Sequence, residues 1–308
     1  MTKVFIDGSA GTTGLRIRER LAARKDLTLT ELPESLRKDP QARKDALDSA
    51  DIAFLCLPDD AARESAALVS SPHTVVIDTS TAHRTDPAWV YGFPELHGQR
   101  EKLKQSRRIA NPGCHASGFI ALVAPLIAEK VLCPDQPLSC TSLTGYSGGG
   151  KKMIAEYEGA DRNPLLAAPR LYGLSQSHKH LPEMKVFCGL SQAPVFCPVV
   201  APYYAGMEVI VPLFGQDLSL KGSRLTEIYA EYYRDEPLIQ VVPSGGEGGF
   251  LSASAMAGRD SLQISAEGCG DRVTLVARFD NLGKGASGAA IQNMNLALGV
   301  PEDTGLVI

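Results

Sequence analysis

The first 80 residues switch repeatedly between short apolar runs and helical stretches, and this alternation constrains the fold more than any other feature of the chain. The apolar runs are Val4–Ile6, Leu27–Leu32, Ile52–Leu57 and Val75–Ile77. Helical patterns near Thr13–Arg24, before Ser49 and from Asp60 to Val69 separate them. Continuous apolar strands divided by helices belong to a parallel sheet covered on both faces. The expected first domain is therefore a doubly wound α/β unit of Rossmann type.

Gly8, Gly11 and Gly14 form GxxGxxG between the first strand and the first helix. Glycines there permit a tight turn and bring backbone N–H groups close to a diphosphate at the helix N-terminus. The first gap is wider than in GxGxxG, so the pattern is a variant of the dinucleotide fingerprint, with a purely structural turn as the alternative. After the second strand, Glu31 and Glu34 are followed by Arg37, Lys38, Arg43 and Lys44. Cations at that point suit a 2′-phosphate, which favours NADP over NAD; a solvated helix face is the competing reading.

Beyond about residue 116 the texture changes. Leu138–Thr144, Val195–Val200, Met207–Leu213, Leu238–Val242, Leu262–Ala266 and Val273–Phe279 read as strands, with few helices between them, the clearest at Leu225–Arg234. Strands in such succession predict an α+β second domain built on a mixed or antiparallel sheet. The 308 residues agree with two domains at about 150 residues each. Gly145–Gly150 and Ser244–Gly249 are too rich in glycine for regular structure and are expected as loops. A last helix, Ala286–Leu298, follows Gly283-Lys284-Gly285, ends at Gly299 and Pro301, and offers Ala290, Met294, Ala297 and Leu298 as a packing face.

A net charge of −4 without a dense basic stripe argues against nucleic-acid and anionic-membrane partners and for a small-molecule substrate. The longest apolar stretch, Phe119–Ala128, is too short to cross a bilayer. Cysteines 56, 114, 133, 140, 188, 197 and 269 are scattered singly, which indicates neither a zinc site nor a disulfide framework. The start runs directly into a strand without a signal-peptide pattern, so a reducing cytoplasm is expected.

Cys114 lies in Ala110-Asn111-Pro112-Gly113-Cys114-His115, where an apolar segment ends and a helical pattern, Ala116–Lys130, begins. A thiol at the mouth of a helix gains thiolate character from the dipole, and a thiolate is a nucleophile; an inert buried cysteine is the alternative. Ser177-His178-Lys179-His180-Leu181-Pro182-Glu183 collects two imidazoles and a carboxylate before a helix start. Histidine is the natural proton shuttle near neutral pH. HxH also suits a metal, but no third ligand stands at a recognisable spacing, so no metal is expected. Asp78-Thr79-Ser80-Thr81-Ala82-His83-Arg84 ends the fourth strand at the edge where open α/β sheets bind ligands. Tyr146-Ser147-Gly148-Gly149-Gly150-Lys151-Lys152 offers N–H groups and ammoniums to an anion. Either segment could instead be a capped loop.

Together these segments resemble the N-acetyl-γ-glutamyl-phosphate reductases of arginine biosynthesis in their shorter form, from the first strand to the last residues. The resemblance rests on GSAGTTG, DTSTAHR, YGFPEL, ANPGCHAS, TGYSGGGKK, SHKHLPE and the terminal NLGKGASGAAIQNMNLALGVPEDTGL. It implies a catalytic set of Cys114, His180, His178 and Glu183, with Cys114 as nucleophile and the histidine pair as acid/base. It implies cofactor contacts at Gly8, Ser9, Gly11, Thr12, Thr13, Gly14 and Ser80, joined by Arg37 and Lys38, and substrate contacts at Arg84, Asn111, Ser147, Gly148 and Lys151. It further implies that the last helix returns to the cofactor domain, giving a discontinuous domain of residues 1–115 and about 284–308 around a catalytic domain of residues 116–283. A homo-oligomer, dimer or tetramer, is expected.

The implied reaction is NADPH-dependent reduction of N-acetyl-γ-glutamyl phosphate, through a cysteine thioester, to the 5-semialdehyde and phosphate. The sequence departs from the longer form at Ala82 and His83, where Asp and Phe are usual, at His115, which replaces an aromatic residue, and at Lys179, which replaces Arg. His115 thus adds a third imidazole that competes for the acid/base role. The rival readings are a related cysteine-dependent semialdehyde dehydrogenase acting on aspartyl phosphate or a longer N-acyl amino acid, and a dinucleotide-binding regulator without turnover.

Overall fold

A computed structural model of the chain describes all residues except Ala10, residues 219–223, 244–245 and Gly270, and the side chain of Cys269. The described residues divide into two compact units, 1–112 with 286–306 and 113–285 with 307–308.

The first unit is a parallel sheet of β1 (Thr2–Asp7), β2 (Leu27–Thr30), β3 (Ile52–Leu55), β4 (Val75–Asp78), β5 (Val90–Tyr91) and β6 (Arg108–Ala110). The strand order is β2-β1-β3-β4-β6-β5, every pair parallel. Alternate residues of each strand feed opposite faces. Val4, Ile6, Ile52, Phe54, Ile77 and Ile109 pack on one side with Ile17 and Leu21 of the helix Thr12–Ala22 and with Ile291 and Met294 of the helix Gly288–Leu298. Phe5, Ala53, Leu55 and Val76 pack on the other with Ala46 and Leu47 of the helix Pro40–Ser49. The expected face of the last helix holds: Ala290 and Met294 are core residues, and Ala297 and Leu298 pack against them.

That helix is buried on its polar side as well. Asn293 donates to the Gly92 carbonyl (3.0 Å) and to Asn111 Oδ1 (3.2 Å), and Gln292 donates to Glu95 (2.8 Å). A side chain at Gly92 would reach within 2.3 Å of the Asn293 amide, which explains a glycine there. The winding also begins earlier than expected. Gly283–Ser287 already form a wide i→i+5 turn, and Gly283-Lys284-Gly285 lie inside it rather than before it. Crowding accounts for the glycine at the start of this turn, since a Cβ on Gly283 would meet the Arg259 carbonyl at 2.1 Å.

The second unit is a mixed sheet of β7 (Ser139–Gly145), β8 (Arg170–Leu171), β9 (Val195–Ala201), β10 (Met207–Phe214), β11 (Ile239–Val241), β12 (Leu262–Cys269) and β13 (Arg272–Phe279). Its order is β11-β12-β13-β10-β7-β9-β8, antiparallel except for β7–β9 and β11–β12. The apolar helix Cys114–Ala128 covers β10 and β13, with Gly118 seated against Val209 and Phe279, where a Cβ would come within 2.5 and 2.8 Å.

Pro125 lies inside this helix and cannot donate to the Ala121 carbonyl. Tyr233 donates its hydroxyl to that carbonyl (2.8 Å), and Tyr229 of the helix Leu225–Tyr232 donates to the carbonyl of Leu122 (2.5 Å). The proline's missing donor is thereby replaced by side chains. Among the described residues no helix is long and apolar enough to cross a membrane.

Two expected loops differ in detail. Tyr146–Gly149 form a 3-10 turn that runs straight into a helix, Gly150–Glu158. The glycines serve close packing: a Cβ on Gly145 would meet the Tyr204 carbonyl at 2.4 Å, and one on Gly149 would meet Met153. Of the expected Ser244–Gly249 loop, Ser244 and Gly245 lie outside the described residues, and Gly246, Gly248 and Gly249 have positive φ.

Candidate active site

In the first unit the loop after β1 turns at Gly8, whose φ of +90° favours glycine and whose Cβ would strike the Cys56 carbonyl at 2.3 Å. Gly14 is as tightly placed, 2.5 Å from the Gly8 carbonyl by the same measure. Gly11 caps the helix Thr12–Ala22, with no side-chain cap and no acidic residue in the first turn. Thr12 Oγ1 is buried and has no hydrogen-bond partner among the described residues. Ser9 and Thr13 are half-buried in the same turn. An orphaned hydroxyl at an uncapped helix start fits a diphosphate.

The four cations expected near a 2′-phosphate separate into two groups. Arg43 is committed to Asp7 at the end of β1, with Nη2 and Nε at 2.8 and 3.1 Å from the same carboxylate oxygen, which also accepts from Ser65 (2.6 Å). Lys44 is committed to Asp48 (2.6 Å) and Ser70. These two are structural, because each closes a local acidic partner. Arg37 and Lys38 are exposed, and Glu31 pairs with Arg18 (2.6 Å).

Asp78 ends β4 and accepts from the Ser80 hydroxyl (2.7 Å) and the Ser80 N–H (2.9 Å). His83 Nδ1 lies 2.7 Å from the same carboxylate, and its ring stacks on Trp89 with centroids 4.1 Å apart. Arg84 is buried and donates to the carbonyls of Asn111 (2.9 Å) and Thr79 (3.1 Å). Asn111 is itself fixed, donating to the Ala286 carbonyl at 3.0 Å. Ser80, Arg84 and Asn111 therefore brace the strand ends in this structure.

In the second unit Cys114 is the first residue of its helix, and Gly113, in extended conformation, is the cap. The Gly113 N–H donates to Glu183 Oε2 (2.9 Å), and the Gly113 carbonyl accepts from the Ser117 hydroxyl (3.1 Å). Glu183 is 1% exposed and sits in the first turn of the helix Leu181–Cys188, which His180 precedes. One carboxylate thus ties the histidine segment to the cysteine helix. Beneath the cysteine lies Gly285, where a Cβ would come within 2.9 Å of the Cys114 Cβ. The sulfur-bearing residue is half-buried.

The three imidazoles meet. The His178 and His180 rings are 4.8 Å apart, and His115 lies 5.6 and 5.5 Å from them. His180 is buried and His178 half-buried, and His178 Nδ1 accepts from the His180 N–H at 3.2 Å. His115 differs: Nδ1 is 2.7 Å from the Ser142 hydroxyl and Nε2 is 2.7 Å from the Tyr172 hydroxyl. Burial, with a smaller push from His178, drives its pKa down to about 3. Burial thus disfavours its charged form, and both its nitrogens are engaged by hydroxyls. An unfolded chain would take up the proton that folded His115 refuses, so acidification from about 6.5 towards 3 destabilises this unit.

Ser147 is buried and accepts from Asn281 (3.0 Å). Gly148 and Lys151 are exposed beside it. Sequence reasoning missed Tyr172, Ser142, Gly285 and Trp89; nothing local marks the first two, because their partner is a histidine distant in sequence.

Residues 23–106 match the semialdehyde dehydrogenase NAD-binding domain and residues 114–281 the semialdehyde dehydrogenase dimerisation domain. The described architecture is shared with aspartate semialdehyde dehydrogenase II from Vibrio cholerae, with a TM-score of 0.73 and 16% identity over 97% of this chain and 98% of that one. At that identity the likeness is one of fold. Fold and site together define an oxidoreductase of the semialdehyde dehydrogenase class with a nicotinamide cofactor.

The sequence relatives are nearer. The chain is 44% identical to N-acetyl-gamma-glutamyl-phosphate reductase 2 of Nostoc sp., covering 99% of both chains, and 47% identical to N-acetyl-gamma-glutamyl-phosphate reductase of Rhizobium meliloti, covering 96% and 98%. It belongs to the N-acetyl-gamma-glutamyl-phosphate reductase family.

Because Gly285 leaves no room above it, Gly285→Ala should displace Cys114 and lower kcat about tenfold or more, a loss that small misplacements of a reacting group can produce. Steady-state kinetics alongside thermal unfolding checks this. An unchanged kcat would mean that the cysteine does not depend on that contact.

Proposed function

We propose that the chain reduces N-acetyl-γ-glutamyl phosphate to N-acetylglutamate 5-semialdehyde and phosphate, with Cys114 as nucleophile and NADPH as reductant. The observation that carries this reading is the meeting, in one unit, of a half-buried thiol at an uncapped helix start with the His178/His180 pair on a segment held to that helix by Glu183. The Cys114 thiolate attacks the acyl carbon, the tetrahedral adduct collapses, and the C–O bond to phosphate breaks with its electron pair on phosphate. The thioester left behind has a carbonyl that accepts hydride far more readily than a carboxylate. The glycine loop after β1, with Gly8, Gly11, Thr12 and Gly14, would hold a nicotinamide dinucleotide, which would supply that hydride. Hydride addition leaves the thiohemiacetal oxyanion, which collapses to the aldehyde as the C–S bond breaks with its electron pair on sulfur, and an imidazolium of the His178/His180 pair gives its proton to the departing sulfur, restoring the thiol. The helix-start N–H groups stabilise the oxyanion, and Ser147, Gly148 and Lys151 suit an anionic group of the substrate.

Identity favours this substrate over aspartyl phosphate, since the N-acetyl-gamma-glutamyl-phosphate reductases of Nostoc and Rhizobium meliloti are 44% and 47% identical and the aspartate semialdehyde dehydrogenase 16%. The described free thiols suit the reducing cytoplasm, to which we assign the enzyme; cell fractionation checks that assignment. Cys114→Ser should lower kcat/KM at least about a thousandfold, roughly 4 kcal/mol of barrier, while NADPH binding stays near its original strength. Retention of more than about a tenth of the rate would remove Cys114 as nucleophile.

The NADP preference rests on Arg37 and Lys38, the two exposed cations after β2. Replacing both with Ala should raise KM for NADPH and leave KM for NADH nearly unchanged, because only NADPH carries the extra phosphate. Equal rises would assign these residues to the fold.

The open face of the mixed sheet supports a homo-oligomer, dimer or tetramer, assembled through it. Leu143, Cys197, Val199 and Ile210 are half-buried there and Val195, Pro212 and Phe214 exposed, whereas the alternate residues are buried. A second copy of the chain would cover this apolar surface. Ile210→Arg should shift the mass seen by sedimentation equilibrium towards the monomer; an unshifted mass would put the interface elsewhere.

A further inference from the structure

An arm rises from the open face of the mixed sheet. Arg278 lies on that face, 7% exposed, opposite Glu208 of β10 and Gln263 of β12 in the strand register. Its Nη1 donates to Glu247 Oε1 and its Nη2 to Gln263 Oε1, both at 2.7 Å. Glu247 opens a tight turn: its N–H donates to the Phe250 carbonyl (2.7 Å), and the Phe250 N–H donates back to the Glu247 carbonyl (3.2 Å). Glu247 Oε2 accepts from the Ser252 N–H at 2.9 Å. Gly248 and Gly249, both at positive φ, let the chain return so sharply. Phe250 closes the turn and is 78% exposed.

The arm stands clear of the strands beneath it. A cavity of about 350 Å³ is lined by Pro243, Glu247 and Leu251 on the arm's side and by Gln263, Ser265 and Arg278 on the sheet's side. A turn fastened by these hydrogen bonds that holds a phenyl group out in water gains nothing from that phenyl in a lone copy.

The strand register shows where a second copy would meet it. Gln263, Arg278, Glu208, Leu143, Val199 and Leu171 follow one another in a single row across β12, β13, β10, β7, β9 and β8. The arm is rooted on the first two, and the last three are apolar, with Leu171 52% exposed. Sheets packed face to face lie about 10 Å apart, a gap that the Arg278 side chain and the turn above it already fill. Two such arms cannot share one place in that gap. A twofold axis running along the strands near β7, in the middle of the half-buried apolar positions, avoids the clash and sets each arm over β8 and β9 of the other copy.

We propose that Phe250 is an intersubunit anchor: held up by Glu247 and Arg278, it packs on Leu171 and Val199 at the β8–β9 edge of a second copy of this chain, and the contact occurs twice about a twofold axis. This rests on the reading of the open face as the oligomer interface.

The test is photo-crosslinking of the full-length protein with p-benzoylphenylalanine in place of Phe250. Light- and heavy-nitrogen copies are mixed, so that mass spectrometry separates crosslinks between copies from those within one. Crosslinks between copies should dominate and land on a peptide of β8 or β9. In sedimentation equilibrium, Phe250→Ala should raise the dissociation constant about a hundredfold, roughly tenfold for each of the two phenyl groups removed from the interface. Phe250→Leu, which keeps an apolar side chain, should stay within about tenfold of the original.

Crosslinks confined to one copy, crosslinks on the other copy outside β8 and β9, a dissociation constant unmoved by Phe250→Ala, or Phe250→Leu as weak as Phe250→Ala would overturn the proposal. If Ile210→Arg yields monomers while the crosslinks stay within one copy, the open face remains the interface and the arm has no part in it. If Ile210→Arg leaves the mass unshifted and the crosslinks between copies land away from the sheet, the open-face reading falls together with the anchor.

Discussion

The hydrogen bond from the Gly113 N–H to the buried Glu183 carboxylate, at 2.9 Å, is the constraint on which the second unit's chemistry depends. A carboxylate so deeply enclosed must be matched by donors, and this bond matches it with the cap residue of the Cys114 helix. The same side chain grows from the first turn of the helix that His180 begins. Two segments distant in sequence, one carrying Cys114 and the other the imidazoles, are thereby held together. Loss of that bond would take one donor from the buried carboxylate and its anchor from the helix start.

The rest of the scaffold applies the same economy. Glycine appears where two backbones or side chains must approach closely: Gly285 beneath Cys114, Gly118 against Val209 and Phe279, Gly92 against Asn293. Buried polar side chains of the last helix donate to carbonyls and carboxylates of the same unit, as Asn293 does to Gly92 and Gln292 to Glu95. Tyr233 does so for the Ala121 carbonyl that Pro125 leaves without its helical donor, and Tyr229 adds a bond to the neighbouring Leu122 carbonyl. These bonds explain why so polar a run as Gln292-Asn293-Met294-Asn295 can be almost wholly buried.

Much of this was legible in the sequence where the signal is local. The alternation of apolar runs and helices predicts the parallel sheet, and the Pro-Gly turn before Cys114 predicts a thiol at a helix start. What escaped depends on partners chosen by the fold. The strands Val90–Tyr91 and Arg170–Leu171 have two residues each, too few for any period to register. Arg43 and Lys44 look like phosphate ligands in a list of charges, yet Asp7 and Asp48 claim them. His115 reads as a third acid/base until Ser142 and Tyr172 are seen to occupy both its nitrogens. The glycine-rich Gly145–Gly150 reads as a loop, yet Tyr146–Gly149 form a 3-10 turn leading into a helix, with Tyr204 and Met153 leaving no room for a Cβ at Gly145 and Gly149.

The central claim is that the acyl group passes through a covalent bond to Cys114. The most direct measurement is peptide mass spectrometry of the protein mixed with N-acetyl-γ-glutamyl phosphate in the absence of reduced cofactor and quenched in acid, where thioesters survive. The account predicts the N-acetylglutamyl mass on the Cys114 peptide, lost when NADPH is added before the quench. An adduct on another residue, or none from a preparation that turns over, would contradict it.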